Sequence, residues 1–476
     1  MMTGIYLTGA FMISGLLFFN RNRVLNYLLV IGFLVLQIVF TFYEYRHMHT
    51  TELNYFTSDA LAVLLLVTLT VISIPTMYHS YVYIKTKQDN PKHRAIYFGA
   101  MVALLTAISA AYLANHIAVT WIFVELTTLS ASALIYHRRN SRSLEGTWKY
   151  FFVCAISITL IFIGILFLSF TLQQAGTDDL SFAVLIKKAP ELNLFWLRLA
   201  FIFIFTGFTA KLGLVPMYTA GIDAKDKAPS PAGAVLSSVL MNMGFVGIFR
   251  IYIVVANSPL HSWANHVILI AAVLSIFVAA VYMTRVKNIK RMFAYSSIEH
   301  MGIVMLGIAA GGVGYYAAIL HIIFHAFVKS SLFFQMGQVY RVYKSKSIYD
   351  VGNYFTYNLT GAIVMLLGFF SATAMPPSGL FISEFLIFRS LFEADYLWVL
   401  VIVMLLLTMI IWAFGKNIFK LLFSPAVDFN ANDIEKIKPA ESISQFILLA
   451  LVVYLGLNPP HEFVSLIQES IKNLPH

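Results

Sequence analysis

The chain has 476 residues, a net charge of +10 and one cysteine; hydrophobic residues make up 59% of it and charged residues only 11%. Soluble domains carry about 25% charged residues, so this composition excludes an ordinary soluble protein. The single Cys154 cannot form an intramolecular disulfide, a four-thiolate iron–sulfur site or a structural zinc site, and we expect no cofactor and no metal in this chain.

Long apolar stretches separated by short polar loops predict membrane-spanning helices of about 20 residues each. The first four residues lack the basic start of a signal peptide, so residues 4–19 are predicted to remain as the first helix. The predicted fold class is an all-α integral membrane protein with about fourteen transmembrane helices. The candidate spans lie near residues 3–19, 24–43, 57–83, 95–113, 115–136, 148–173, 194–219, 231–257, 264–284, 292–311, 313–341, 357–391, 395–423 and 441–457.

Basic residues are distributed unequally over the loops between these spans. Of the 32 lysine and arginine residues, 23 lie on alternate loops, four lie on the opposite loops and five lie within or at the ends of spans. Loops rich in lysine and arginine stay on the cytoplasmic side of a membrane. The bias predicts an even number of spans with both termini outside, in a bacterial or archaeal cytoplasmic (inner) membrane. It also accounts for the net charge, so we expect no nucleic-acid partner.

Several charged residues are predicted inside the spans, where burial of a charge costs about 2.5–3.5 kcal/mol. Those deep in spans are Glu125, Lys211, Lys329 and Glu384. Those near span ends, where a long side chain can extend to the interface, are Arg198, Arg250 and Arg389. One alternative is that each deep charge belongs to a structural ion pair. Several such charges in one chain favour a functional polar path, because pairs alone would suffice for structure.

His321, His325 and Lys329 are spaced four residues apart in the eleventh span, so their side chains lie along one face of a helix. Imidazole titrates near neutral pH and can pass a proton between its two nitrogens, so this row predicts a proton relay. Two alternatives stay open: simple hydrogen bonds to neighbours, or haem ligation by histidines on facing helices. His300 lies near the cytoplasmic end of the tenth span, where Glu299 either adjusts its protonation or neutralises a nearby basic residue.

Two spans contain a helix break beside a charged residue. Pro216 follows Lys211 in the seventh span, and a proline removes the helical hydrogen bond to the carbonyl four residues before it. Pro376 and Pro377 precede Glu384 in the twelfth span. Irregular backbone at membrane depth is tolerated where it is buried in protein or lines a wet cavity, and paired broken helices are typical of transporters built from repeats. Ordinary proline kinks would explain the prolines but not the adjacent charges.

Five segments carry a distinctive set of motifs. They are Lys211-Leu-Gly-Leu-Val-Pro-Met217, Ala228-Pro-Ser-Pro-Ala-Gly-Ala-Val-Leu-Ser-Ser-Val-Leu240, Lys290-Arg-Met-Phe-Ala-Tyr-Ser-Ser-Ile-Glu-His-Met-Gly302, His325-Ala-Phe-Val-Lys-Ser-Ser-Leu-Phe333 and Pro376-Pro-Ser-Gly-Leu-Phe-Ile-Ser-Glu-Phe385. Together they resemble the antiporter-like subunits of respiratory complex I, over roughly residues 55–420. That family includes Mrp-type cation/proton antiporter subunits and membrane-bound hydrogenase subunits.

The resemblance implies fourteen helices, two inverted five-helix repeats formed by spans 4–8 and 9–13, and a central polar axis. It implies that Glu125 and Lys211 form a pair, as the matching residues do in the family. The predicted divisions are 1–94 (helices 1–3), 95–257 (first repeat), 258–423 (second repeat) and 424–476 (C-terminal loop and last helix). The predicted proton pathway is Glu125, Lys211, Asn242, His300, His321, His325, Lys329 and Glu384.

Two departures from the family pattern are visible. Asn242 stands where many members have a lysine in the eighth span, and an asparagine cannot change its charge, so at best it holds water in the path. The family stretch His-Thr-Trp-Leu-Pro-Asp-Ala-His is here Tyr218-Thr-Ala-Gly-Ile-Asp-Ala-Lys225. The asparagine and the Ile-Glu-His triplet most resemble component F of hydrogenase-4-type complexes.

These observations predict an antiporter-like, proton-translocating subunit of a group 4 hydrogenase or hydrogenase-related complex. Electron transfer is expected in partner subunits, because the chain lacks ligands for redox centres, and no residue is assigned as catalytic. The expected partners are other membrane subunits, a peripheral hydrogenase-like arm and the lipid bilayer, with protons or sodium ions as the transported species. Two alternatives stay open: an Mrp-type antiporter driven by a gradient, and a non-pumping scaffold that anchors a peripheral enzyme.

Overall fold

The computed structural model describes residues 1–86, 90–425 and 435–475, so the predicted C-terminal loop falls partly outside the described residues. In chain order, the helices of the first half are α1 (Met2–Phe19), α2 (Arg23–Arg46), α3 (Ala60–Lys85), α4 (Pro91–Leu113), α5 (Ile117–Ile135), α6 (Ser141–Gln174), α7 (Phe182–Lys188), α8 (Leu194–Leu212), α9 (Thr219–Lys227) and α10 (Ser230–Ser237). Those of the second half are α11 (Val239–Ala256), α12 (His261–Arg285), α13 (Ile289–Ala310), α14 (Val313–Tyr343), α15 (Tyr354–Tyr357), α16 (Leu359–Ala372), α17 (Gly379–Glu393), α18 (Leu397–Phe423), α19 (Ile443–Leu457) and α20 (His461–Ser470). A short antiparallel pair, β1 (Thr51–Glu52) and β2 (Phe56–Thr57), lies between α2 and α3.

Asparagine fixes the start of many of these helices. Its short side chain accepts a hydrogen bond from a backbone N–H of the first turn, which the helix itself leaves unpaired. Asn140 in addition forms a capping box with Ser143 at the start of α6. The asparagines that cap helices in this way are Asn22, Asn90, Asn140, Asn193, Asn288 and Asn358.

The helices confirm the predicted all-α membrane fold. Within the described residues, 13 helical segments are long and apolar enough to cross a membrane. They correspond to the predicted spans other than 357–391, which forms two shorter helices, α16 and α17. The one predicted span that is not a single long helix is therefore the twelfth, which its two prolines indicated to be broken.

The chain divides into two compact units. Unit 1 contains residues 1–228, 239–267 and 462–476, and unit 2 contains residues 229–238 and 268–461. The four predicted divisions and the inverted relation between the two repeats stay predictions.

Small residues allow close helix packing within each unit, as they do in many membrane proteins. In unit 1, α6 packs against α8 so closely that a methyl group at Gly164 would lie 2.5 Å from Cγ1 of Ile204. In unit 2, a methyl group at Gly307 of α13 would lie 2.9 Å from the carbonyl oxygen of Gly314 in α14. The helices that carry the charged residues are thus held against their neighbours with little room to shift.

Both predicted helix breaks are present. The helix α8 ends at Leu212, where Gly213 adopts a left-handed conformation (φ +87°) that glycine tolerates best, and its N–H bonds the carbonyl of Thr209 at 2.7 Å. The bonds Val215–Pro216 and Pro376–Pro377 are cis.

A third break, at Ser238 between α10 and α11, interrupts the eighth predicted span. Its backbone (φ −126°, ψ −97°) leaves the helical region although neither proline nor glycine occupies the position. The eighth predicted span is confirmed as one membrane-length segment, Ser230–Ala256, but its irregular residue at Ser238 was not predicted, because the local sequence carries no strong breaking signal.

Candidate functional site

Lys211 occupies a polar pocket within unit 1. Its side chain is buried at the C-terminal end of α8, and its ammonium donates to the hydroxyl oxygens of Thr128 at 2.8 Å, Tyr150 at 3.2 Å and Thr127 at 3.3 Å. Three hydroxyls thus satisfy the three donors of the ammonium group. Cys154, one turn beyond Tyr150 on α6, interacts with both Lys211 and Tyr150.

Glu125 lies one turn before Thr128 on α5, and it interacts electrostatically with Lys211. The two do not form an ion pair within 4.0 Å, since the Lys211 ammonium bonds hydroxyls instead. Glu125 is half-buried, and its Oε2 atom has no hydrogen-bond partner among the described residues. The predicted pair therefore shares one pocket but has no direct contact in this state.

Asn242 is fully buried on α11, and neither its amide oxygen nor its amide nitrogen has a hydrogen-bond partner in the described part of the chain. Two residues further on, Gly244 brings α11 against the end of α8. A methyl group there would lie 2.5 Å from the backbone nitrogen of Leu212. Buried amide groups normally bond either protein or water, so Asn242 marks a position suited to an ordered water molecule near this helix end.

Within unit 2, the eleventh predicted span is the continuous helix α14. His321, His325 and Lys329 lie on it at successive turns and are all fully buried. The predicted common face is therefore present. His300 on α13 packs against this face, with its ring centroid 5.2 Å from that of His321 and 5.3 Å from that of His325.

One hydrogen-bonded segment begins at Lys329. Its ammonium donates to Ser296 Oγ at 2.7 Å, and the Ser296 hydroxyl donates to Glu299 Oε2 at 3.4 Å. Ser296 and Glu299 are three residues apart on α13 and so share a face of that helix. The segment therefore links a buried lysine to a buried carboxylate through one hydroxyl.

A second segment begins at His300, whose Nδ1 atom lies 3.1 Å from Nε2 of His321. The Nδ1 atom of His321 lies 3.0 Å from Ser383 Oγ on α17, and the Ser383 hydroxyl donates to the carbonyl of Leu380 at 3.1 Å. That hydroxyl has one hydrogen, so we assign His321 Nδ1–H as the donor to Ser383 and His321 Nε2 as the acceptor from His300.

The two segments meet at Glu299 and His300, where Oε1 lies 3.8 Å from Nδ1. This separation is too long for a hydrogen bond and short enough for a side-chain shift or one water molecule to close it. Glu384 follows Ser383 on α17 and interacts electrostatically with Glu299. Unit 2 thus holds His300, His321, His325, Lys329 and Glu384 in one cluster.

Sequence reasoning missed several members of these sites. Of the two alternatives for Glu299, its position between Lys329 and His300 favours an effect on His300 over neutralisation of a nearby basic residue, and its link to Lys329 through Ser296 was not predicted. The i, i+3 spacing of Ser296 and Glu299 was a signal that they share the buried face. Tyr150 and Ser383 carried no such signal, because their roles depend on contacts between helices.

The three arginines near span ends lie outside these clusters. Arg250 is buried, and its guanidinium bonds the partly exposed Asp59 at 2.8 Å and the carbonyl of Tyr112 at 2.7 Å, near the end of α4, while its extension to the interface stays a prediction. Helix C-termini leave carbonyls unpaired, so Arg250 acts as a structural cap. Arg389 pairs with Glu393 on the exposed side of α17, and Arg198 lies over the ring of Trp263.

A family model described as NADH:quinone oxidoreductase/Mrp antiporter, TM, matches residues 114–410. This chain belongs to that family. The matched residues include the polar pocket around Lys211, the histidine cluster of unit 2 and all the predicted helix breaks. The resemblance that the sequence motifs carried is therefore confirmed.

Individual members of the antiporter family are similar over much or all of the chain. A hydrogenase-4 component F homolog from Methylacidiphilum infernorum (isolate V4) is 29% identical over 347 residues, which are 71% of this chain and 73% of that protein. A subunit of an archaeal membrane-bound sulfane sulfur reductase, a respiratory membrane complex, superposes with a TM-score of 0.86 over 99% of this chain and 96% of that chain at 19% identity. A chain of the Mrp complex from Dietzia sp. DQ12-45-1b gives a TM-score of 0.85 over 99% and 97% of the two chains at 14% identity. The two solved structures share the fold of this antiporter-family chain.

Proposed function

We propose that this chain is an antiporter-like, proton-translocating membrane subunit of a group 4 hydrogenase or a related respiratory complex. The observation that carries the proposal is the buried series Lys329–Ser296–Glu299–His300–His321–Ser383 in unit 2. Burying so many ionisable groups in an apolar protein is costly, and groups of this kind in membrane helices mark ion pathways.

The proposed transfer in unit 2 follows the direction of its hydrogen bonds. As Lys329 gives a proton to Ser296 Oγ, the hydroxyl hydrogen of Ser296 passes to Glu299, so the net movement is from the lysine to the carboxylate. From Glu299 the proton crosses the 3.8 Å gap to His300. Both Glu299 and His321 face the Nδ1 atom of His300, so a doubly protonated His300 first passes its Nδ1 proton to Nε2 of His321 and then accepts the proton of Glu299 at the vacated Nδ1.

Unit 1 supplies a second carrier in this proposal. The three hydroxyls around Lys211 stabilise its ammonium form by accepting hydrogen bonds. The two threonine hydroxyls donate their hydrogens to the carbonyl of Val124, so the hydroxyl of Tyr150 is the one placed to donate to the neutral amine. Glu125, which has no direct contact with the ammonium, can approach it or withdraw. Its approach favours the charged lysine and its withdrawal favours release of the proton.

The proposed setting is an inner membrane with both termini outside and redox chemistry in partner subunits. The hydrogenase-4 component F homolog supports a hydrogenase-type complex, and the partners expected from it are further membrane subunits and a peripheral arm. Protons are the proposed cargo because imidazole and lysine carry protons, with sodium ions as the alternative.

Purification of the assembled complex in mild detergent provides the first test. Identification of a nickel–iron hydrogenase-like large subunit among the companions would support the proposal. Proton uptake by sealed vesicles that contain the complex, driven by its electron donor, is the second measurement. A complex that oxidises its donor without proton uptake would contradict the pumping role and support a scaffold.

An Mrp-type cation/proton antiporter is the second candidate, favoured by the superposition on the Mrp chain. The two candidates differ in their energy source. Companions restricted to Mrp-type subunits, together with sodium-driven proton movement in the absence of any electron donor, would favour the antiporter.

A further inference from the structure

A cavity of about 560 Å³ lies in unit 2, outside both clusters. It is formed by the C-terminal end of α12 with the loop that follows it, the loop after α14 and residues 412–423 of α18. Four basic side chains line it: Arg285, Lys287, Lys416 and Lys420. In the predicted topology these residues belong to loops and helix ends on the basic side of the membrane.

Among the residues that the structure describes, no acidic one lines this cavity, and none of the four basic groups lies within ion-pair distance of a carboxylate. Asp350 adjoins the lining residue Tyr349, but its carboxylate accepts a hydrogen bond from Ser345 at 2.6 Å. Four like charges in one cavity repel one another unless an anion joins them. The cavity therefore has the charge of an anion-binding site.

Aromatic rings hold the lysines toward the cavity. The ammonium groups of Lys420 and Lys287 lie 4.9 Å and 5.8 Å from the centre of one ring, that of Tyr349. The ammonium of Lys416 lies 5.2 Å from the ring centre of Trp412. Cation–π contacts of this kind place two positive charges on a single ring, which is an arrangement that a bound anion would stabilise.

The side of α18 that forms the cavity is also rich in exposed apolar side chains. Trp412 is 60% exposed, Phe423 is 58% exposed and Phe419 is 44% exposed, and all three line the cavity. In a membrane helix, such residues face acyl chains, and tryptophan favours the level of the headgroups. A small free anion would not contact these apolar side chains.

We propose that this cavity binds the headgroup of an anionic phospholipid, with the phosphate among Lys287, Lys416 and Lys420 and the acyl chains along α18. Basic pockets between membrane helices on the cytoplasmic side suit such headgroups. The bound lipid would neutralise the four basic groups and fill the groove between the C-terminal ends of α12 and α18. The proposal is independent of which ion the protein transports.

The test measures lipid retention by the purified full chain in mild detergent, using native mass spectrometry with added phosphatidylglycerol or phosphatidylcholine. The wild-type protein should retain phosphatidylglycerol in preference to phosphatidylcholine. Each lysine near a lipid surface contributes about fivefold in affinity, so the double variant Lys416→Gln/Lys420→Gln should lose roughly 30-fold. The double variant Lys416→Arg/Lys420→Arg, which keeps both charges, should bind like the wild type.

The matched control is Lys436→Gln/Lys438→Gln, which removes the same charge from two exposed lysines that do not line the cavity. It should retain phosphatidylglycerol. Equal losses in both glutamine variants would overturn the proposal, because retention would then reflect net charge. Displacement of the lipid by a modest excess of inorganic phosphate would also overturn it and identify a site for free anions.

Discussion

The Nδ1 atom of His300 lies 3.1 Å from the Nε2 atom of His321, and both side chains are fully buried. The two histidines belong to different helices, α13 and α14, so the contact joins them into one polar path. One nitrogen of His321 faces His300 and the other faces Ser383. A group that is contacted at both nitrogens is placed to accept a proton on one side and release it on the other.

His321→Ala should reduce proton translocation by at least about tenfold, because it removes the only link between His300 and Ser383 within the described cluster. The double variant with His325→Ala should be at least as impaired. Proton uptake by vesicles, normalised to assembled complex, is the measurement. His266→Ala, at an exposed histidine of α12, is the control and should pump normally. Normal pumping by the double variant would show that these histidines only pack in the helix interface and do not relay protons.

Glu299→Gln should assemble and fail to pump. Glutamine keeps the size of the side chain and can still bond Ser296, but it cannot receive the proton that Lys329 releases. Glu393→Gln, at an exposed acid of α17, should leave proton uptake unchanged. Glu384→Gln tests the neighbouring predicted acid in the same assay. If Glu299→Gln pumps like the wild type, the path bypasses this carboxylate.

The sequence predicted part of this cluster for a clear physical reason. His321, His325 and Lys329 share a face because helical periodicity alone places residues four apart in line. The contact between His300 and His321 joins residues 21 positions apart on two helices, and that between His321 and Ser383 joins residues 62 apart. Such contacts depend on helix packing, which no local pattern encodes.

The same distinction applies to the fold. Hydropathy and proline positions were sufficient for the spans and for the breaks at Pro216 and Pro376, because both are local properties of the sequence. The break at Ser238 and the cap that Arg250 provides for α4 were not predictable in this way. Each depends on contacts with neighbouring helices that are distant in the sequence.

The topology predicts opposite sides of the membrane for two loops, near residues 175–181 and 344–353. The only native cysteine, Cys154, is buried, so a cysteine introduced in either loop can be labelled selectively. A membrane-impermeant thiol reagent added to intact spheroplasts should label Asp178→Cys and leave Lys344→Cys unlabelled until the cells are opened. The reverse pattern would show that both termini lie inside.

Gly244→Ala should destabilise the protein by about 1–3 kcal/mol, since the added methyl group meets the backbone at the end of α8 and cannot be accommodated without a shift. It would lie 2.5 Å from the nitrogen of Leu212 and 2.8 Å from the carbonyl carbon of Lys211. Gly15→Ala is the control, because nothing lies within 4 Å of its added methyl group. Thermal unfolding in detergent compares the two. Equal melting temperatures would show that α8 and α11 adjust freely.

The variant Lys211→Arg tests whether Lys211 carries protons or only supplies a structural positive charge. The Lys211 pocket offers three hydroxyl acceptors, and a guanidinium also satisfies them, so the variant should fold and assemble. Arginine is effectively always charged and cannot release a proton, so proton uptake should fall to the background level. Lys149→Arg, the same change at an exposed lysine of unit 1, should pump normally.

Lys211→Met completes the comparison. It should also fail to pump, and its cost in stability should be about 1–3 kcal/mol, the range expected when a buried polar group such as the Tyr150 hydroxyl loses its partner. A larger loss, as for a broken buried ion pair, is not expected because Glu125 is half-buried and does not contact the ammonium. Wild-type proton uptake by the arginine variant would refute the carrier role, since a permanent charge would then suffice at this position.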